Sequence, residues 1–389
     1  MRSNYKKIGD HIREVNIRDK ELQANILFGV NIDKYFMPSV ANIIGTDMTA
    51  YKVVKKGQFA CNRMHVGRDY RLPVALSKSE EDFIVSPAYD VFEIKDEEIL
   101  LPEYLMMWFS RKEFDRNAWF YTDADVRGGL PWKSFCEMEL PIPHPDKQKE
   151  IVSEYNTIIN RIALNNQLIQ KLEKTAQAIY KQWFVDFEFP DENGKPYKSS
   201  GGEMEFNEEL QKEIPKGWEL EFYENVMDFK TGKLNSEAAV SNGKYPFFTC
   251  SNETFKTDTF SFDIEAVILA GNNASAIYPL KYFVGKFDAY QRTYVVTTKC
   301  DSLSNKQIFF TLKSELDNFK GISSGTATKF LTMNILNNLK IIIADKQTHD
   351  KFEFTMNGIF RNLQIRKKEF ESLSAFSETL LSKLATIEN

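Results

Sequence analysis

At 389 residues, with 42% hydrophobic and 27% charged side chains, the chain is long enough for two or three packed cores and too apolar to be disordered. Its net charge of −5 looks wrong for a nucleic-acid binder, and no apolar run approaches the roughly 18 residues of a membrane span. The four cysteines, Cys61, Cys136, Cys250 and Cys300, are scattered without a CxxC pair; this excludes a disulfide framework and a Cys-rich zinc site and points to a reducing, cytoplasmic setting.

Residues 1–145 read as a first globular domain. Short β-type runs stand at Ala50–Val54, Gln58–Cys61, Phe83–Val85 and Ala88–Ile94. A helix is expected over Pro102–Ser110, where the proline suits the first turn. After a loop ending at Gly129, the segment Leu130–Leu140 leads to Pro141-Ile-Pro143-His-Pro145. Three prolines in five residues cannot continue a helix, so this is an extended lead-in.

Asp146–Trp183 then carries apolar residues at alternating steps of four and three. The rungs are Ile151, Tyr155, Ile158, Ile162, Asn165, Ile169, Leu172, Ala176, Ile179 and Trp183. This spacing keeps one stripe on one side of a slightly underwound helix, so it predicts a long helix with a coiled-coil seam. The domain plan is a central helix over 146–184, then a Gly-, Pro- and Ser-rich loop or ordered surface linker over 185–215. Between Asp186 and Glu213, nine acidic residues against three lysines carry a charge of −6. The remainder therefore sums to about +1 and is free to hold local basic patches.

A second domain, 216–344, repeats the plan of the first. Strands are expected at Ile264–Leu269 and Thr293–Thr298, Ile308–Leu312 leads into a helix, and Gly321–Lys329 is a glycine- and hydroxyl-rich loop before the last strand. The final segment, 345–389, opens with the same DKQ tripeptide. With two residues inserted after it, the same seam follows: Phe352, Met356, Ile359, Leu363, Arg366, Phe370, Leu373, Ser377, Leu380 and Leu384. Each copy has its one strongly polar rung, Asn165 or Arg366, in fifth place. In an antiparallel pair these two become neighbours that fix register. The chain is thus an α+β tandem duplication: two similar globular domains separated by two long helices that pair antiparallel, with pseudo-twofold symmetry. Seams of about 33 residues at 1.5 Å each would span roughly 50 Å, on the order of 15 base pairs of duplex.

The chain has no GxxxxGK[ST] loop, no GxGxxG after a strand, no HExxH and no Asp/Asn-Pro-Pro-aromatic tetrapeptide, so no catalytic or metal residues are assigned. What it offers instead are basic and amide side chains interleaved with aromatics. In the first domain these are Lys55, Lys56, Asn62, Arg63, Arg68 and Arg71, with Arg127 in the later loop. In the second they are Asn272, Asn273, Ser275, Lys281 and Arg292, accompanied by Lys286, Gln291 and several tyrosines, with Ser324, Thr326 and Lys329 in the glycine loop. Each alone reads equally as an ordinary solvated residue. As sets they suit phosphate contacts and base readout, where Arg pairs with guanine and Asn or Gln with adenine.

PIPHPDKQKEIV before the first helix, AIYKQWFVDFEFP after it, the IPKGW restart and GISSGTATKFL before the last strand together make the chain resemble the specificity subunits of type I restriction–modification systems, over essentially its whole length. Two departures stand out: IIIADKQ lacks the prolines, and the N-terminus has no tryptophan matching Trp218. The resemblance implies a subunit without catalytic activity, whose domains each read half of a bipartite, asymmetric double-stranded DNA site. It implies helices that set the spacer and dock two methyltransferase subunits, and it leaves open whether two restriction subunits join. S-adenosylmethionine, ATP and Mg would belong to those partners and no cofactor to this chain. Two alternatives are the specificity part of a type IIG-like restriction-methyltransferase and a helical scaffold that does not bind DNA.

Overall fold

The computed structural model describes residues 5–21, 26–39, 46–123, 128–325 and 328–387. The chain forms two compact units, Met1–Gln167 with Lys367–Asn389, and Leu168–Arg366. Each long helix contributes one stretch to each unit. The expected boundaries at 145/146 and 344/345 separate the helices from the globular parts, whereas the packed units cut through the helices because each globular part shares a core with the helix turns nearest to it.

In the first unit, Tyr5–Lys7 pairs antiparallel with Glu139–Pro141, so the N-terminal strand lies beside the lead-in to the long helix. A single turn, Ile8–His11, then delivers Ile12–Val15 to a four-stranded sheet in the order 12–15, 90–94, 59–61, 74–76. A second sheet follows the order 36–38, 27–30, 83–85, 52–54. Phe59 and Phe92 stack with centroids 4.9 Å apart, and Phe109 and Phe135 close over them; these four side chains are fully buried. Helix Pro102–Phe109 has its proline at the first turn and buries Tyr104, Leu105, Trp108 and Phe109. The sequence pattern identified 83–85 and this helix well. It missed 5–7, 12–15, 27–30, 36–38 and 74–76, which are too short to show a period.

The second unit takes the same path. Glu219–Phe222 pairs with Lys340–Ile343, a single turn Tyr223–Val226 follows, and Met227–Thr231 edges a six-stranded sheet in the order 227–231, 293–298, 262–270, 280–289, 245–248, 254–257. In both units a hairpin joins the next strand through a parallel pairing, Leu27 opposite Ile84 and Phe247 opposite Asp288. One difference is local. The hairpin 262–270/280–289 is continuous, with Gly285 at φ 123° within its pairing. Its counterpart in the first unit is broken by the polar turn Lys55–Gln58, with Gly57 at φ 81°, and so lies in two sheets.

The predicted long helices form over Pro145–Phe184 and Lys346–Lys383. All twenty seam rungs are buried or half-buried, while the residues between them are mostly exposed. Within the first unit, Leu381 and Leu384 pack into the core alongside Ile151, Val152 and Tyr155, and Arg161 lies 2.7 Å from Glu369. Within the second, Trp183 and Phe184 meet Phe352, whose ring stands edge-on to Phe184 at 4.9 Å. In each unit the start of one helix therefore lies against the end of the other: the pairing is antiparallel.

The shared DKQ tripeptide is not structurally shared. Gln148 is fully buried, accepting from the Leu101 N–H at 2.9 Å and donating to the Ile99 and Pro143 carbonyls at 2.8 Å each. Gln347 is exposed, and His349, which stands three residues before its first rung as Gln148 does before Ile151, is the buried residue instead. In that second copy Asp345 caps the helix, accepting from Thr348 N–H at 2.9 Å and its hydroxyl at 2.6 Å, and from the Trp218 indole at 3.2 Å. The 185–215 segment is ordered. Phe187 and Phe189 are buried against Trp218, Phe189 stacks on Tyr197, and 204–207 pairs with 212–215.

Candidate nucleic-acid interface

In the second unit the sheet brings Asn272–Asn273 opposite Lys329–Phe330, antiparallel, so two of the predicted loops become one ribbon. Beside it stands the turn Tyr290–Thr293, whose main chain is pinned on several sides. The Tyr290 N–H donates to the Phe248 carbonyl at 2.8 Å, the Gln291 N–H to Leu234 at 2.9 Å, and the Arg292 carbonyl accepts from Gly271 N–H at 2.8 Å. Gly232 and Gly271 approach this turn so closely that a Cβ on either would collide with its main-chain atoms. The Arg292 guanidinium lies over the Phe330 ring, 5.4 Å from its centroid, and Arg292, Gln291, Ser324, Tyr294 and Phe330 line a cleft of about 530 Å³. Arg292, Gln291 and Ser324 are exposed.

The structure therefore assembles Asn272, Asn273, Arg292, Ser324 and Lys329 from the sequence prediction. It does not leave all of them free. The Asn273 carboxamide oxygen accepts from Ser275 N–H at 2.8 Å, closing a local turn that uses both residues. The Asn272 side-chain oxygen is turned inward. Lys281 donates to the Ser251 and Glu253 carbonyls at 3.2 and 2.7 Å and to the Thr254 hydroxyl at 3.1 Å, which uses all three of its protons. Burial holds its pKa below the usual lysine range. It is a staple between strands rather than a free cation. Thr326 lies outside the described residues, as does Arg127 of the first unit.

In the first unit the expected basic patch carries its own counter-charges. Arg63 donates to Asp90 at 2.6 Å and to the Leu130 carbonyl, and sits over the Trp132 ring at 5.4 Å. Arg68 pairs with Asp69 through two bonds of 2.7 and 3.0 Å, Arg71 with Asp33 at 2.9 Å, Lys55 with Asp82 at 3.7 Å, and Lys56 with Glu80. The Asn62 side chain caps the Met64 N–H at 3.0 Å. The sequence count saw only Asp69 in this stretch because Asp33, Glu80, Asp82 and Asp90 arrive from distant strands and loops. The exposed pairs are weak, about 0–1 kcal/mol each, and a phosphate can displace their carboxylates. Arg63 is half-buried and doubly bonded, so it is a structural residue. The pattern missed an exposed aromatic group, Tyr70 and Trp119 with centroids 5.4 Å apart and Phe120 beside Tyr121, because α-helical residues 112–120 were not recognised as a helix.

Of the predicted register residues, Asn165 is 1% exposed and Arg366 half-buried, each in its seam. Among the described residues no group of three His, Cys, Asp or Glu could hold a metal, and no helix is long and apolar enough to cross a membrane.

The family described as the type I restriction modification DNA specificity domain matches residues 73–174 and 215–382. The chain is 24% identical over 312 residues to the MjaIX type I restriction enzyme specificity subunit of Methanocaldococcus jannaschii, covering 73% of this chain and 68% of that one. It is 28% identical over 190 residues to the HindI specificity subunit of Haemophilus influenzae, covering 46% and 40%. A stretch of 83 residues, 21% of this chain and 18% of the other, is 41% identical to the EcoDI specificity subunit of Escherichia coli. The crystal structure of a type I restriction–modification S subunit from M. genitalium shares the fold, with a TM-score of 0.62 at 16% identity over 99% of this chain and 96% of that one.

Proposed function

We propose, on the premise that this chain belongs to the type I restriction–modification DNA specificity family, that it is the non-catalytic subunit that selects the DNA site for a methyltransferase and restriction complex. Residues 1–145 and 216–344 act as the two target-recognition domains, each reading one half of a bipartite, asymmetric site. The paired helices set the unread spacer and dock two methyltransferase subunits, which bring the S-adenosylmethionine. The observation that carries this reading is the doubled fold. The same strand order, the same single turn and the same helix-end packing occur twice, while the side chains at matching places differ: Arg63, held by Asp90, stands two residues past strand 59–61 in one unit, and Asn272 stands two residues past strand 262–270 in the other. Two alike scaffolds carrying unlike side chains suit a site with two unlike halves. The acidic balance fits as well, because partner subunits can supply much of the phosphate-neutralising charge.

The test is a domain exchange. Replacing residues 1–145 with those of another family member, within the intact complex, is expected to change one half of the methylated motif read by whole-genome methylation mapping. A change in both halves together would refute the assignment of one domain to one half.

A further inference from the structure

The second unit displays two adjacent side chains that its own fold does not use. Gln291 and Arg292 are exposed on a turn whose main chain is held by Phe248, Leu234 and Gly271, and among the described residues neither side chain has a hydrogen-bond or ionic partner. The contrast with Arg63 gives this weight. Both arginines lie 5.4 Å from an aromatic ring centroid, but Arg63 is fixed by hydrogen bonds from its fork to Asp90 and Leu130. Arg292, exposed beside the Phe330 ring, leaves its planar fork unused where it lines a cleft. A phosphate contact needs only charge, which a flexible lysine such as the neighbouring Lys329 provides. A ring-braced guanidinium on a rigid turn is suited instead to a planar, two-acceptor target. In the major groove that target is the O6/N7 edge of guanine, and for the carboxamide of Gln291 it is the N6/N7 edge of adenine.

We propose that Arg292 reads a guanine, and Gln291 a neighbouring adenine, in the half-site recognised by the second unit. This rests on the reading of the chain as a DNA specificity subunit and narrows it to two base pairs. The turn itself is the specificity device: Gly232 and Gly271 let the flanking strands close on it, so the main chain that carries the two side chains keeps one geometry from one binding event to the next.

The experiment selects random-sequence duplexes with the full-length chain in complex with its methyltransferase subunit, followed by sequencing, for the wild type and for Arg292→Ala, Arg292→Lys and Gln291→Ala. The wild-type motif is expected to contain adjacent G·C and A·T pairs in one half. Arg292→Ala should lower the preference for that guanine roughly 5- to 150-fold and leave the other half unchanged. Arg292→Lys should keep the affinity for random duplex and its salt slope while losing the same preference, since it keeps charge but not the fork. Gln291→Ala should relax only the adenine position. Thermal melting of each variant within 2 °C of wild type shows that the fold is intact. A uniform loss of affinity with every base preference retained would make Arg292 a phosphate contact and overturn the proposal. So would relaxation in the other half, or no change in any position. A wild-type complex that enriches no bipartite motif would overturn the specificity reading itself, and this proposal with it.

Discussion

Two arginines with the same ring support show how a side chain's role is decided by what reaches it. The basic and polar neighbours of Arg63 in sequence suggest a DNA contact, but Asp90 comes to it across the sheet and holds it at 2.6 Å. Arg63→Ala leaves that half-buried carboxylate uncompensated and is expected to destabilise the first unit by about 1–3 kcal/mol, measured by urea unfolding, with the DNA motif unchanged. His349 carries a pH dependence. Burial lowers its pKa below the usual 6.5, against the raising influence of Glu353 and Asp350 and with a further lowering from Lys346. The unfolded chain therefore takes up a proton before the folded one as pH falls. Stability is full above about pH 6.5 and declines as pH drops from there through the lower folded value. His349→Gln, which supplies the residue found at the matching position of the first helix, should flatten the melting-temperature profile between pH 7.5 and 5. A residual slope of the same sign is expected from His11, whose pKa burial also lowers.

Among the elements, the long helices are the ones periodicity determines most completely, because a seam of ten rungs is far longer than any chance pattern and each rung is hidden as expected. The fifth rung of the first helix is a buried asparagine, and a polar residue buried in a seam is a general device for fixing register at a cost in stability. Asn165→Leu is expected to raise the melting temperature by about 2–4 °C while broadening the elution of the assembled complex, as alternative registers become populated. The short strands are the opposite case. At three or four residues each, they are selected by their partners rather than by their own composition, so 5–7 and 139–141 became visible only when paired. The 185–215 segment, polar in composition, is held by two buried aromatic rings, Phe187 and Phe189, packed on Trp218. Trp218→Ala removes that stack and a hydrogen bond to the cap of the second long helix. A loss of about 3–5 kcal/mol in the second unit, read by unfolding, is the expected result.

For the molecule as a whole, charge in the sequence and charge available to DNA are different quantities. Most cations counted in the first unit's patch already face a carboxylate, so the isolated chain should bind random duplex weakly and with a shallow salt slope. On the function proposed above, a complex with a methyltransferase subunit should lose affinity steeply, with a slope of about 0.9 per phosphate neutralised, in a titration from 50 to 200 mM salt. Equal slopes for chain and complex would show that the partner adds no phosphate contacts. The duplication, the two helices and their polar rungs were determined by the sequence alone, because heptad spacing and repeated motifs are local and survive without knowledge of folding partners. Which cations are free, which tripeptide residue is buried and which turn is rigid were decided only by the tertiary structure. Those properties depend on groups that arrive from distant strands, as Asp90 does at Arg63 and Gly271 does beneath Arg292, and no spacing along the chain encodes that arrival.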